Sequence, residues 1–182
     1  MKYMNQKKQS LKNNNISLVC LEEGSALESV ALRGALEYLG YIVSIHWIGS
    51  KELFLKLLSG KITTDETVII SGHGYKNGFL LSGEKIIKPE EFKKQVNWKN
   101  KNVISLGCCT GTKEFADVFI KGGVKIYIAP DDYPDGNATL VFAIYLFFLI
   151  KKGDSLSVAL KKAKQLDEDL DSFKLYDNTP SS

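Results

Sequence analysis

Gly72-His73-Gly74 places a histidine between two glycines where the apolar run "VIIS" stops. Thirty-five residues on (108 minus 73), Cys108 closes a second apolar run, "NVISLG". A thiol and an imidazole brought together can do nucleophilic chemistry: the sulfur attacks a carbonyl and the ring carries the proton to the leaving group. Gly74 has no side chain, so its backbone N–H can approach a reacting carbonyl, and with the N–H of Cys108 it would make an oxyanion hole. The plainer reading of the same residues is a strand-end histidine bonded to backbone and a small core cysteine.

The elements that must position this pair follow from periodicity. "ISLVCLE" reads as a strand, "ALESVALRGALEYLG" as a helix ending at Gly40, "YIVSIHW" as a strand, and "SKELFLKLLSG" as a helix opened by Ser50 and closed by Gly60. The strand "TVIISG", a hairpin around Asn77-Gly78, the helix "KPEEFKKQV" and the strand "NVISLG" come next. They are followed by the helix "TKEFADVFIKG", the strand "VKIYIA", the loop "PDDYPDGN", and two helices, "ATLVFAIYLFFLIKKG" and "SLSVALKKAKQLDEDLDSF". Strands apolar on both faces that alternate with helices imply an α/β fold with a mainly parallel sheet and helices on both faces. His73 then ends the third strand and Cys108 the fourth. Ligands of such sheets sit outside the carboxyl ends of the strands, near the point where strand order reverses. Neighbouring strands lie roughly 4.8 Å apart, so equivalent ends bring the two side chains together. A thiol just before the helix near Thr112 is also expected to favour the thiolate.

One domain over 16–175 is expected, between a disordered basic tail, 1–15, and a flexible tail, 176–182. Three cysteines, two of them adjacent, give no disulfide framework and favour a reducing, cytoplasmic setting. The apolar stretch "ISLVCL" is too short for a signal-peptide core. The run from Ala138 to Ile150 falls below the roughly 18 residues a membrane span needs, and reads as a buried helix or an oligomer contact. A net charge of +3 with no basic stripe argues against nucleic acid. Arg33 is the sole arginine, which excludes an arginine phosphate clamp beside the cysteines. Cys20, His46, His73, Cys108 and Cys109 offer no metal-binding spacing, so neither a metal nor another cofactor is expected.

"VIISGHG", a hairpin, and then "VISLGCCTGT" resemble the His-Gly and Cys blocks of the caspase-like cysteine peptidases, the clan CD group of caspases, gingipains, legumain, separase and bacterial CHAT domains. The closest similarity is to CHAT domains, whose Cys-x-Thr-Gly is matched by Cys108-Cys109-Thr110-Gly111. Downstream, "IKGGVKIYIAPDD" and "FFLIKKGDSLSVALKKA" are similar to the family's glycine turn, strand, acidic loop and final helices, so the likeness covers roughly 65–165. Leu106-Gly107 replace the usual small pair before the cysteine, and "VKIYIA" lacks the tryptophan often found there. The resemblance implies a caspase-like three-layer sandwich and amide hydrolysis through an acyl-enzyme. Cys108 would be the nucleophile, His73 the general acid or base, and the Gly74 and Cys108 amides the oxyanion donors. The implied partners are a protein or peptide substrate and a separate regulatory protein.

Three further readings stay open. An inactive caspase-like interaction module would keep the fold with an ordinary thiol at 108. Cys109 stands at the centre of G-x-C-x-G, the spacing of glutamine amidotransferases, although no histidine follows it in the chain. In a peptidase, Asp131 or Asp132 of "PDDYPDG" would line a pocket preferring Lys or Arg before the cut. His46 and Cys20 read as structural residues.

Overall fold

A computed structural model describes residues 13–83 and 85–178; the tail expectations for 1–12 and 179–182 lie outside the described residues. Nine strands are assigned among them: β1 Asn15–Cys20, β2 Ile42–Trp47, β3 Thr67–Ser71, β4 Gly74–Tyr75, β5 Gly78–Leu81, β6 Lys85–Ile87, β7 Asn102–Ser105, β8 Ile126–Pro130 and β9 Phe173–Asp177. The α-helices are α1 Ala26–Tyr38, α2 Lys51–Leu58, α3 Pro89–Phe92, α4 Lys113–Lys121, α5 Gly136–Lys151 and α6 Leu156–Ala163.

Apolar strands that must bury both faces dictate the layering. Six of them form one sheet in the order β2-β1-β3-β7-β8-β9, parallel except where β9 runs against β8. On one face α1, α5 and α6 supply Leu32, Leu36, Phe142, Leu146 and Leu160 to a core under Ile16, Leu18, Ile69 and Ile104. On the other, α2, α3 and α4 supply Phe54, Leu57, Phe92, Phe115 and Phe119 to a core over Val19, Val68, Ile70 and Val103. The result is the three-layer sandwich the alternation predicts.

Ser50 caps its helix as the sequence predicts, and the structure adds a second cap at Asp135. Ser50 Oγ accepts from Leu53 N at 3.2 Å, and Asp135 Oδ1 accepts from Ala138 N at 2.9 Å at the head of α5. Each bond satisfies one of the amides left without an intrahelical partner.

Two expectations change. The helix expected through Val96 closes after one turn, because Val96 and Trp98 turn inward to the second core, where Trp98 Nε1 donates to Leu57 O at 3.0 Å. The last helix ends at Ala163 and gives way to two 3-10 turns and then β9. Asp167 is extended and its side chain caps the second turn at Asp169 N, 3.0 Å, while Phe173 enters the first core and stacks on Phe142. Asn15 and residues 176–177, assigned to tails from sequence, therefore belong to the sheet.

After β3 the chain makes a small antiparallel sheet, β4-β5-β6, whose Phe79 is fully buried edge-on to Phe54 and Phe115. This hairpin fixes the loop carrying His73, since Leu80 N donates to His73 O at 2.9 Å. Phe79→Ala is expected to lower unfolding stability by about 3–5 kcal/mol, read as a fall in the urea midpoint at unchanged slope.

Candidate active site

In the β3:β7 pairing Ile70 faces Ser105, an offset of 35 residues (105 minus 70), which equals the separation of His73 and Cys108. Parallel register therefore carries the two residues to the same end of the sheet. There both line a cleft of about 530 Å³, together with Gly24, Ser25, Glu28, Gly72 and Thr139. The cleft spans the ends of β1, β3 and β7, beside the place where β1 has β2 on one side and β3 on the other. That is the topological switch point at which ligands of open parallel sheets bind.

The loops meet at backbone contact. A Cβ on residue 74 would lie 2.2 Å from Cys108 O and 2.9 Å from Gly107 C, so only glycine fits. The Cys loop is closed by its own threonine: Thr110 Oγ1 donates to Gly107 O at 2.7 Å and lies 2.8 Å from Ser105 Oγ. Tyr127 OH donates to Thr110 O at 2.8 Å, and Tyr176 OH to Gly111 O at 2.7 Å. A Cβ on residue 111 would stand 2.2 Å from Ala129 O. The Thr-Gly of the motif is thus a packing requirement of the loop.

Cys109 takes a left-handed conformation, φ 59°, and its N–H donates to Asp132 O at 2.9 Å. Its side chain is fully buried and outside the cleft, whereas Cys108 is only partly buried and lines it. Burial of Cys109 outside the cleft weighs against the reading that makes it the nucleophile.

A partner for His73 escaped the sequence reading. Glu22, just past β1, lies 2.9 Å from His73 Nδ1 through Oε1, and its other oxygen accepts from Gly24 N. The Glu22 side chain is 8% exposed and that of His73 59%. Burial alone would push the Glu22 carboxyl up; the His73 ring, the Gly24 amide and the Ser25 hydroxyl outweigh it and hold it below the usual carboxylate range. An ionised Glu22 only accepts, so Nδ1 carries the hydrogen and Nε2 is left as the nitrogen that exchanges protons. The available signal was a Glu after a strand end, followed by Gly-Ser.

Burial pushes the Cys108 thiol up from its ordinary range; Cys109, Glu28 and Asp132 add to this, against its own backbone N–H. The helix opens where the sequence places it, with Thr112 as the N-cap of α4, but the thiol is raised and not lowered. Burial thus favours the thiol over the thiolate at this sulfur.

Asp131 and Asp132 stand elsewhere: Asp131 Oδ2 lies 3.5 Å from Lys174 Nζ, both residues are exposed, and neither lines the cleft. The acid that does is Glu28, on α1, with Oε1 accepting from Ser71 Oγ at 2.8 Å. Burial pushes the Glu28 carboxyl up, with Ser71 and His73 only partly offsetting it. His46 Nε2 meets Ser17 Oγ at 3.4 Å, and Cys20 is buried beside Ser25, consistent with structural roles. Among the described residues, no cluster of His, Cys, Asp and Glu suits a metal ion, and no helix is long and apolar enough to cross a membrane.

No protein-family model matches the sequence, and no curated protein matches it. Solved structures do. The complex of Porphyromonas gingivalis RgpB pro- and mature domains superposes with a TM-score of 0.62 at 13% identity, over 88% of this chain and 46% of that one. The Arg specific cysteine proteinase gingipain R gives 0.62 at 14% identity over 91% and 46%. The Saccharomyces cerevisiae separase–securin complex gives 0.65 at 17% identity over 95% and 12%. The chain therefore has the caspase-like α/β fold, and it spans less than half the length of the chains it resembles.

An acid whose pKa is raised on folding weakens the folded state once ionised, with the full penalty above the raised pKa and none below the ordinary carboxylate value. Glu28→Gln keeps an acceptor for Ser71 and removes the charge. Its melting temperature should exceed that of the native chain at neutral pH, and the difference should vanish by about pH 3 in a calorimetric series.

Proposed function

We propose that the protein is a cysteine endopeptidase that cuts peptide bonds through Cys108 and His73. The supporting observation is that both residues line one cleft at the strand ends, with His73 oriented through Nδ1 by a buried carboxylate. Nε2 takes the Cys108 proton as the sulfur attacks the scissile carbonyl, which answers the neutral resting thiol: deprotonation accompanies attack. The oxyanion is held by the Gly74 and Cys108 amides. The imidazolium, steadied by Glu22, passes the proton to the departing amine and leaves a thioester. Water, deprotonated by the same ring, hydrolyses the thioester and restores the thiol. Glu22 is a positioning residue, since it acts through His73 and touches no reacting atom.

The neighbours crystallised with a prodomain or with securin support a protein partner that regulates this site. A second reading, the inactive interaction module, is favoured by the raised thiol of Cys108. A quenched-peptide library separates the two. The endopeptidase loses turnover in Cys108→Ala and drops by roughly 100-fold or more in His73→Ala. In Glu22→Gln the fall is smaller and the acid limb of the pH profile moves. Iodoacetamide should modify Cys108 with an apparent pKa above the ordinary thiol range, because burial disfavours the anion. Absence of turnover, with Cys108 alkylation indifferent to His73→Ala, would sink the peptidase reading.

A further inference from the structure

A helix on the outside of a sandwich is apolar towards the sheet and polar towards water. α1 departs from this. Ser29, Leu32 and Leu36 are buried on its inner face, yet on the outer face Leu27 is 81% and Tyr38 92% exposed, with Ala31 and Gly34 exposed between them. Steps of four, three and four residues put these on one outward stripe. α5, which packs beside α1 in the same layer, repeats the pattern: Val141 and Phe148 are exposed, Ile144 and Tyr145 half-buried. The outer faces of other helices are charged, with Lys161 and Lys162 on α6 and Lys113, Glu114 and Lys121 on α4.

Gly34 supplies a second observation. Its φ is not positive, and a Cβ there would meet nothing within 4 Å, so neither the backbone nor the packing of this chain calls for glycine. Glycine in a helix interior weakens the helix relative to alanine, and what it permits is the close approach of another backbone.

The face is also self-complementary. Leu27 and Tyr38 stand equally far from the midpoint of the α1 stripe, as do Ala31 and Gly34; on α5 the same holds for Val141 and Phe148, and for Ile144 and Tyr145. The two midpoints are level, since Leu27 and Leu140 near the helix heads both line the cleft, and at the other end Lys151 Nζ donates to Gly40 O at 3.1 Å. A single two-fold axis across both midpoints therefore sets each helix antiparallel to its own copy. Arg33 and Glu37, opposite charges on one flank of α1, then face their counterparts crosswise.

We infer that the outward face of α1 and α5 is the contact between two copies of this chain, related by a two-fold axis. Leu27 packs on the second copy's Tyr38, Ala31 on its Gly34 where the backbones come closest, and Val141 on its Phe148. Because Leu27 also lines the Cys108 cleft, the second copy's Tyr38 reaches the rim of each cleft. None of this depends on the peptidase reading. Two adjacent helices of 13 and 16 residues offer a face about 20 Å across, at the small end of specific interfaces, so the pair dissociates at around micromolar concentration.

Light scattering of the full chain between about 0.1 and 200 μM tests the contact. The native chain should pass from one copy to two. Gly34→Arg, which fills the space at the axis, should stay single at about 200 μM with a native melting curve, and Val141→Glu repeats the test on α5. Arg33→Glu should weaken association by roughly tenfold, and adding Glu37→Arg should restore it; this exchange decides the matter if either of the other variants folds poorly. A native chain still single at about 200 μM overturns the inference. A dimer that survives both Gly34→Arg and Val141→Glu, or a charge exchange without rescue, overturns it as well.

Discussion

The backbone of residue 74 passes so close to the Cys108 carbonyl that a single added carbon would sit 2.2 Å from it. This contact locks the loop after β3 to the loop after β7, and most of the site follows from it. His73 is held by the residues on either side of the contact: its own carbonyl receives Leu80 N from the hairpin, and its ring meets Glu22. The Cys loop cannot drift, because Thr110 ties its two ends and two tyrosines donate to its carbonyls from the neighbouring strands β8 and β9. Backbone-to-backbone contact has no soft side chain to absorb error, so it fixes position better than a side-chain interface would.

Several groups here work against stability. Glu22 is buried, Glu28 is held above its ordinary pKa, Cys109 occupies a backbone region unfavourable to a side chain, and Thr139 Oγ1 is unpaired. A left-handed non-glycine residue alone costs of order 1–3 kcal/mol. These costs converge at one end of one sheet, while the two cores elsewhere are closed and largely apolar. Local conflicts gathered at a cleft are what a functional site produces. The two apolar layers, with their linked rings around Phe79, Phe92, Phe115 and Phe119, supply the stability that tolerates them.

The sandwich also explains which carboxylates can act. Glu22 follows β1 and Glu28 lies on α1, so both descend onto the switch point from the strand that neighbours β3. Asp131 and Asp132 follow β8, two strands from β3 on the far side of β7. From there Asp131 meets Lys174 of β9, and the Asp132 backbone supports the Cys109 turn. Sequence nearness to an apolar strand end marks an acidic residue as available, and the packing of its own segment decides which one lines the cleft, as Glu28 does and Asp131 and Asp132 do not.

Periodicity and capping residues in the sequence were enough to determine the α/β layering, the central strands, and the placing of His73 and Cys108 at the same end of the sheet, because these rest on local patterns and on a register that preserves a 35-residue offset. Cys108 and Cys109, adjacent and identical in type, could not be told apart by pattern alone; the positive φ at Cys109 separates them. The strand Phe173–Asp177 was hidden because its polar, acidic approach resembles a helix until β8 offers an edge to pair with. Glu22 and Glu28 were not legible beside the pair because they stand 51 and 80 positions from His73 and Cys108 respectively (73 minus 22, 108 minus 28). A carboxylate acquires its pKa and its partner only from what packs around it, and that environment exists only once β1, β3 and β7 are side by side.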